Sequence, residues 1–239
     1  MYLLYGSIQK VHLNKSESKP TAGRPAVVHY DETGERAEEQ FIWGRALDEP
    51  TPLLLTAMGK AETAAVFGES KMLQYIAEIV RKDPVTFTHP WPEQDVLFEL
   101  NYDHTTIESE GYGFSHCNPD RIWPRQPRET QDSIVHYDLI ASGDHLMRHE
   151  ATRDQLSHKQ GVLCFETETT SLKYAAQYLV IRGICDYADS HSSKLWHAYA
   201  AVAAAAYAKE DLSFIPKVSK TTPLWQQTPR PRRSSMLCS

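Results

Sequence analysis

Three short stretches place acids and hydroxyls where they could do chemistry: Ser142-Gly143-Asp144, Glu166-Thr167-Glu168 and Asp186. Each follows an apolar run of strand character, so each acid is expected at a strand end. Carboxylates in such a place suit two jobs. They accept hydrogen bonds from sugar-like hydroxyls, and they move a proton when burial raises one of their pKa values. An isolated Asp or Ser at a strand end more often just caps the following helix. Three acid-bearing ends, one of them a Glu-x-Glu pair, favour a pocket. Ser142 has no nearby His in a nucleophile-elbow context, which argues against a serine hydrolase.

The elements that must position these groups follow from periodicity. Ile134–Ala141, Gly161–Phe165 and Tyr178–Cys185 predict strands, the last two almost continuously apolar, as strands covered on both faces are. Helices are expected over Leu146–Lys159, Thr170–Gln177 and Lys194–Asp211. Upstream, Pro25–Tyr30 predicts a strand, and Leu53–Val66 and Lys71–Arg81 predict helices, the second stopped by Asp83-Pro84. Strands alternating with helices imply an α/β domain with a largely parallel sheet, and ligands of open α/β sheets sit at the carboxyl ends of the strands. Residues 1–23 are expected to be an N-terminal loop segment and 24–212 the domain, with a Pro-rich irregular insertion at 84–130 holding a short strand near Val96–Glu99.

Composition narrows the class. The 239 residues are 41% hydrophobic and 23% charged, with a net charge of −6. The end, 213–239, carries Lys217, Lys220, Arg230, Arg232 and Arg233 and neither Asp nor Glu, so it is expected to be a basic, flexible tail on an acidic body. An acidic body argues against nucleic acid as a partner. No run is long and apolar enough to predict a membrane span, and the start lacks a signal-peptide pattern. Cys117, Cys164, Cys185 and Cys238 lack framework spacing, which predicts reduced thiols and a cytoplasmic location. Asp103, His104, His116 and Cys117 fit no regular zinc spacing, so no metal is expected. Arg182 reads as half of a buried pair, and His191 and His197 as capping or packing residues.

Three longer runs carry a family resemblance: Gly161-Val-Leu-Cys-Phe-Glu-Thr-Glu-Thr-Thr, Leu179-Val-Ile-Arg-Gly-Ile-Cys-Asp-Tyr-Ala-Asp-Ser-His, and Trp196-His-Ala-Tyr-Ala-Ala-Val-Ala-Ala-Ala-Ala-Tyr-Ala-Lys-Glu. They resemble the purine nucleoside phosphorylase / nucleosidase superfamily, in its fungal branch often joined to NACHT or ankyrin modules. His136-Tyr-Asp-Leu-Ile-Ala-Ser-Gly-Asp resembles the strand before that family's base-binding loop. The resemblance implies a three-layer α/β/α sandwich around a mixed, mainly parallel sheet. It also implies N-ribosidic bond cleavage in a purine nucleoside, as a glycosyltransferase or hydrolase of nucleoside metabolism. Asp186 would protonate the base and Glu166 line the reaction centre. Glu168 would hold the ribose hydroxyls, with Thr167, Phe165, Ser142, Asp144, Leu146 and Met147 completing the substrate site. No cofactor is implied, with inorganic phosphate as the co-substrate of a phosphorolytic reaction, and a homo-oligomer is implied as the assembly.

Two departures shape that expectation. Thr167 stands where the family has a Met that packs on the ribose. The Gly-rich strand-turn unit that supplies the phosphate or water side is also lacking, as if the N-terminal third were shortened. Besides an enzyme, the resemblance therefore leaves open a non-catalytic nucleoside-binding or scaffold module, or a repurposed enzyme of fungal secondary metabolism.

Overall fold

The computed structural model describes residues 10–13, 27–31, 42–43, 50–104, 114, 116–125, 128, 130–168, 178–191 and 193–217. They form a mixed α/β structure. Its strands are β1 (Lys10–Leu13), β2 (Val27–Asp31), β3 (Ile42–Trp43), β4 (Ile134–Tyr137), β5 (Leu139–Gly143), β6 (Val162–Glu166) and β7 (Ile181–Gly183). Its helices are α1 (Pro52–Val66), α2 (Met72–Lys82), the single turn α3 (Pro84–Phe87), α4 (Glu150–Gln160) and α5 (His197–Ser213). The expected helix at 170–177 lies outside the described residues, as does most of the tail.

Local chemistry explains most boundaries. Thr51 accepts the Leu54 N–H at 3.3 Å and Pro52 opens α1, a pairing of cap and proline that starts helices well. His149 accepts the Thr152 N–H at the start of α4, which therefore begins four residues later than periodicity predicts. Gly161, at φ 73°, ends it in the left-handed conformation that favours glycine. The start of α2 is capped from a distance: Glu210 of α5 accepts the Lys71 N–H at 2.7 Å and the Ser70 hydroxyl at 2.8 Å.

Two small sheets replace the single sheet expected. One has the order β3-β2-β5-β6, with β2, β5 and β6 parallel and β3 antiparallel. The other has the order β4-β1-β7, parallel between β1 and β4 and antiparallel between β1 and β7. The predicted strand Ile134–Ala141 is thus split between sheets at Asp138, whose carboxylate takes the Leu139 N–H at 2.9 Å. The predicted strand Tyr178–Cys185 shrinks to Ile181–Gly183, because β7 pairs with β1 and not with β6. Strand β1 falls within the stretch 1–23 expected to be loop, since its four residues give too short a pattern to read.

Alternation along β5 and β6 sorts their side chains. Ala141 and Phe165 pack with Leu156 of α4, while Ile140 and Cys164 on the other face meet Val180 and Ile184. The largest core gathers Met58 and Ala61 of α1, Met72 and Ile76 of α2, and Trp196, Tyr199, Val202, Ala203, Ala206 and Tyr207 around α5. Ile181, Cys185 and Tyr187 pack against the same core. No helix among the described residues is long and apolar enough to cross a membrane.

The contact between β7 and α5 has no slack. A Cβ added to Gly183 would lie 2.0 Å from the Ala200 carbonyl oxygen and 2.5 Å from its carbon. Both are backbone atoms, so the strand or the helix would have to move. Gly183→Ala is expected to cost about 3 kcal/mol or more, read as a lower urea midpoint; a variant of wild-type stability would show that β7 and α5 are not held this close.

Helix α5 also buries an acid without a counter-charge. Asp211 is 2% exposed, one of its oxygens has no hydrogen-bond partner among the described residues, and burial pushes its carboxyl up to about 6. The folded state therefore binds the proton more tightly than the unfolded chain, whose value is 3.8. Stability is expected to fall as pH rises between those values and to stay low above them, by up to about 3 kcal/mol. Asp211→Asn should raise the melting temperature above about pH 7 and change it little near pH 4; equal effects at both pH values would refute the assignment.

Candidate functional site

The acid pair Glu166–Glu168 starts from the register of two parallel strands. Ser142 of β5 lies opposite Glu166 of β6, so both point to the same face, the one toward residues 180–184. Ser142 is fully buried and its hydroxyl has no hydrogen-bond partner among the described residues. Glu166 is 3% exposed and accepts the Glu168 N–H at 2.8 Å. Glu168 itself is exposed; its carboxylate accepts the Thr167 N–H at 3.1 Å and pairs with Arg182 at 2.8 Å. Partial desolvation works against that charge, but the Arg182 guanidinium and the hydrogen bonds outweigh it and hold the carboxyl down to about 2. Glu168 is therefore an ionised acceptor at neutral pH, not a proton donor. The Arg182–Glu168 pair links one sheet to the end of the other.

Asp186 is held separately. It follows β7 in a loop, where one oxygen accepts the Ala188 N–H at 3.0 Å and the other faces the Cys185 thiol at 3.9 Å. Ala188 has φ 53°, a left-handed conformation uncommon for a residue with a Cβ. Burial and the neighbouring Asp186 push the Cys185 thiol up to about 12.

The same loop receives the insertion and α4. Tyr187 donates its hydroxyl to Asp95 at 2.5 Å, and Arg125 contacts the Tyr187 hydroxyl, the Asp95 carbonyl and, at 3.2 Å, the Asp95 carboxylate. Burial, reinforced by Asp95, pushes the Tyr187 hydroxyl well above its usual range, so it stays a donor. Arg153 of α4, 3% exposed, donates to the Tyr187 carbonyl at 2.8 Å and lies 3.7 Å from buried Asp189. His191 stacks on Phe98 with ring centroids 4.1 Å apart and meets Tyr102 and Phe114. Burial and nearby His104 push His191 down to about 4, so the ring is neutral. The His104 N–H donates to Ser190 at 3.0 Å, and the Trp196 indole N–H to the Gln94 carbonyl.

Of the predicted site residues, the structure joins Ser142, Glu166, Thr167 and Glu168 at the end of β5 and β6. Phe165 and Met147 pack into the core beside Leu156, whereas Leu146 and Asp144 are exposed. Asp186 follows a strand of the other sheet. Tyr187, Asp95 and Arg125 went unread in the sequence, because their partners are 30 and more residues apart and no local pattern joins them.

No family model matches the chain, and no solved structure matches it. A curated relative does: a protein of Hyaloscypha variabilis described as a nucleotide-binding leucine-rich repeat (NLR)-like protein, 34% identical over 197 residues. The match covers 80% of this chain and 18% of the relative, so the chain spans about a fifth of the length of the protein it matches. This finding overturns the resemblance to the purine nucleoside phosphorylase / nucleosidase superfamily. With it fall purine nucleoside cleavage or binding as the function and the glycosyltransferase and hydrolase assignments. Of the three runs behind that resemblance, two are apolar segments that run into acids and the third is helix α5, and such local patterns do not specify a family.

The Asp95–Arg125–Tyr187 cluster should behave as one unit. Asp95→Ala leaves Arg125 buried beside no carboxylate and is expected to cost about 3 kcal/mol, against about 1 kcal/mol for Tyr187→Phe. Urea unfolding checks the ranking, and limited proteolysis should cut within 84–130 sooner in the Asp95 variant; equal, small costs would mean that the cluster does not anchor the insertion.

Proposed function

We propose that this chain is a ligand-recognition module of an NLR-like protein, and that it binds rather than transforms its ligand. The observation that carries this is the shape of the match: four-fifths of the chain aligns with under a fifth of a much longer NLR-like relative. That is how one module of a multidomain protein aligns. Nucleotide binding, named for the relative, needs a loop of backbone amides around phosphates, and the Gly-x-x-x-x-Gly-Lys-Ser/Thr run that builds one is absent from these 239 residues. In this reading the nucleotide is handled elsewhere in such a protein.

The recognition site is the end of β5 and β6. Buried Glu166, the unpartnered Ser142 hydroxyl and ionised Glu168 offer acceptors, with Arg182 holding Glu168 in place. Such a site suits a small ligand rich in hydrogen-bond donors, a polyol or an amine. The finer architecture belongs to the same reading: α4 covers one face of β5 and β6, and α5, backed by α1 and α2, covers the β4-β1-β7 sheet, and we read these helices as the outer layers of an α/β/α arrangement.

Calorimetry on the full chain tests it, with polyols, polyamines and magnesium ATP as probes. A polyol or polyamine is expected to bind, and Glu166→Gln to weaken it about tenfold or more, the loss of one charged hydrogen bond. Binding of ATP alone, unaffected by Glu166→Gln, would place nucleotide recognition in this chain and overturn the proposal.

A further inference from the structure

Outside the acid pair, one constellation among the described residues brings three chemically distinct ligating atoms together. The Cys185 Sγ, an Asp186 carboxylate oxygen and a His197 imidazole nitrogen all lie within 4.8 Å of one another. They come from the loop after β7 and from the first residue of α5, so the close β7–α5 contact at Gly183 sets their spacing. Cys185 and Asp186 are half-buried and His197 is exposed, leaving an approach from solvent.

We propose that Cys185, Asp186 and His197 form a site for a divalent transition-metal ion of zinc type, with three protein ligands and a fourth position open to water. Thiolate, imidazole and monodentate carboxylate are the donors zinc accepts, and three such ligands plus a free position is the pattern of its open sites. Donor atoms around a tetrahedral ion sit on the order of 3.5 Å apart, given bond lengths of ~2.0–2.3 Å. The 3.9 Å between the Cys185 sulfur and the Asp186 oxygen needs only a small contraction to reach that. Asp186 is already oriented: its other oxygen accepts the Ala188 N–H, the kind of supporting hydrogen bond that aims a metal ligand. Loading the site replaces the Cys185 S–H bond with a sulfur–metal bond. The thiol proton is released to solvent, one proton per ion. The site is independent of the ligand reading above, since it uses neither Glu166 nor Glu168.

Cobalt(II) and zinc(II) are the probes, added to the full chain after chelator treatment. One equivalent of cobalt is expected to give the near-ultraviolet sulfur-to-cobalt charge-transfer band with tetrahedral visible absorption, and zinc to displace it. Affinity should rise with pH as the thiol deprotonates. His197→Ala should weaken zinc binding by more than the ~100-fold that loss of an outer supporting group costs, and its exposure makes it a safe variant for folding. Cys185→Ser should abolish the charge-transfer band, with circular dichroism confirming the fold. Cys117→Ser and Cys238→Ser should leave the band in place. No band, a band that survives in Cys185→Ser, or a band that depends on Cys117 or Cys238 would overturn the site, as would unchanged zinc affinity in His197→Ala.

Discussion

The structure depends on how closely β7 lies against α5. At Gly183 the strand meets the backbone of Ala200, with room for hydrogen and nothing larger. An approach this tight lets Ile181, Cys185 and Tyr187 reach the core around Trp196, Tyr199 and Tyr207 while β7 still pairs with β1. It also determines where the chain goes next. Residues 184–191, which hold Asp186, Tyr187, Asp189 and His191, leave the strand from a point anchored to the most buried helix of the molecule.

Three arginines then organise the acids around that loop. Arg182 reaches from β7 to Glu168 at the end of the other sheet. Arg125 reaches from the insertion to Asp95 and Tyr187, and Arg153 from α4 to the Tyr187 carbonyl and Asp189. Buried carboxylates are costly unless paired and hydrogen-bonded. Arg125 and Arg153 meet that need for Asp95 and Asp189, while Arg182 pairs with the exposed Glu168, each with donors in a fixed planar fork, which also fixes direction. Asp211 is the contrast: it has no such partner for one of its oxygens, and its proton affinity rises accordingly. The described residues of the stretch 84–130 are thus tied to that loop. They supply Asp95, Phe98, Tyr102, His104 and Arg125 to contacts with the loop.

The similarity to an NLR-like protein changes what the acids mean. Strands ending in carboxylates suggested base and ribose recognition when read beside a family of nucleoside enzymes. In the structure Glu168 is paired with Arg182 and held ionised, while Glu166 receives a backbone N–H from within its own turn. Glu168, held ionised by Arg182, accepts hydrogen bonds and does not donate a proton at neutral pH.

The sequence by itself determined α1, α2, α4 and α5, the strands β2 and β6, and the run that β4 and β5 share, because their signals are local; it did not show α3, β1 or β3, and the strand expected near Val96–Glu99 is an isolated bridge between Phe98 and Ile122. Thr51-Pro52 opens α1, Gly161 closes α4, and the apolar run Val162–Phe165 makes a strand wherever it is placed. It also located Ser142, Glu166, Thr167 and Glu168 at strand ends, because they close or follow the apolar runs that form β5 and β6. The tertiary structure decided the rest. Whether β7 pairs with β6 or with β1 depends on contacts across more than 160 residues, and the choice of β1 splits Ser142–Glu166 from Asp186 into different sheets. The partners of Asp95, Tyr187 and Arg125, and the meeting of Cys185 and Asp186 with His197, arise only when separate elements pack. No periodicity records such meetings, because the energy that sets them is spent between elements and not along the chain.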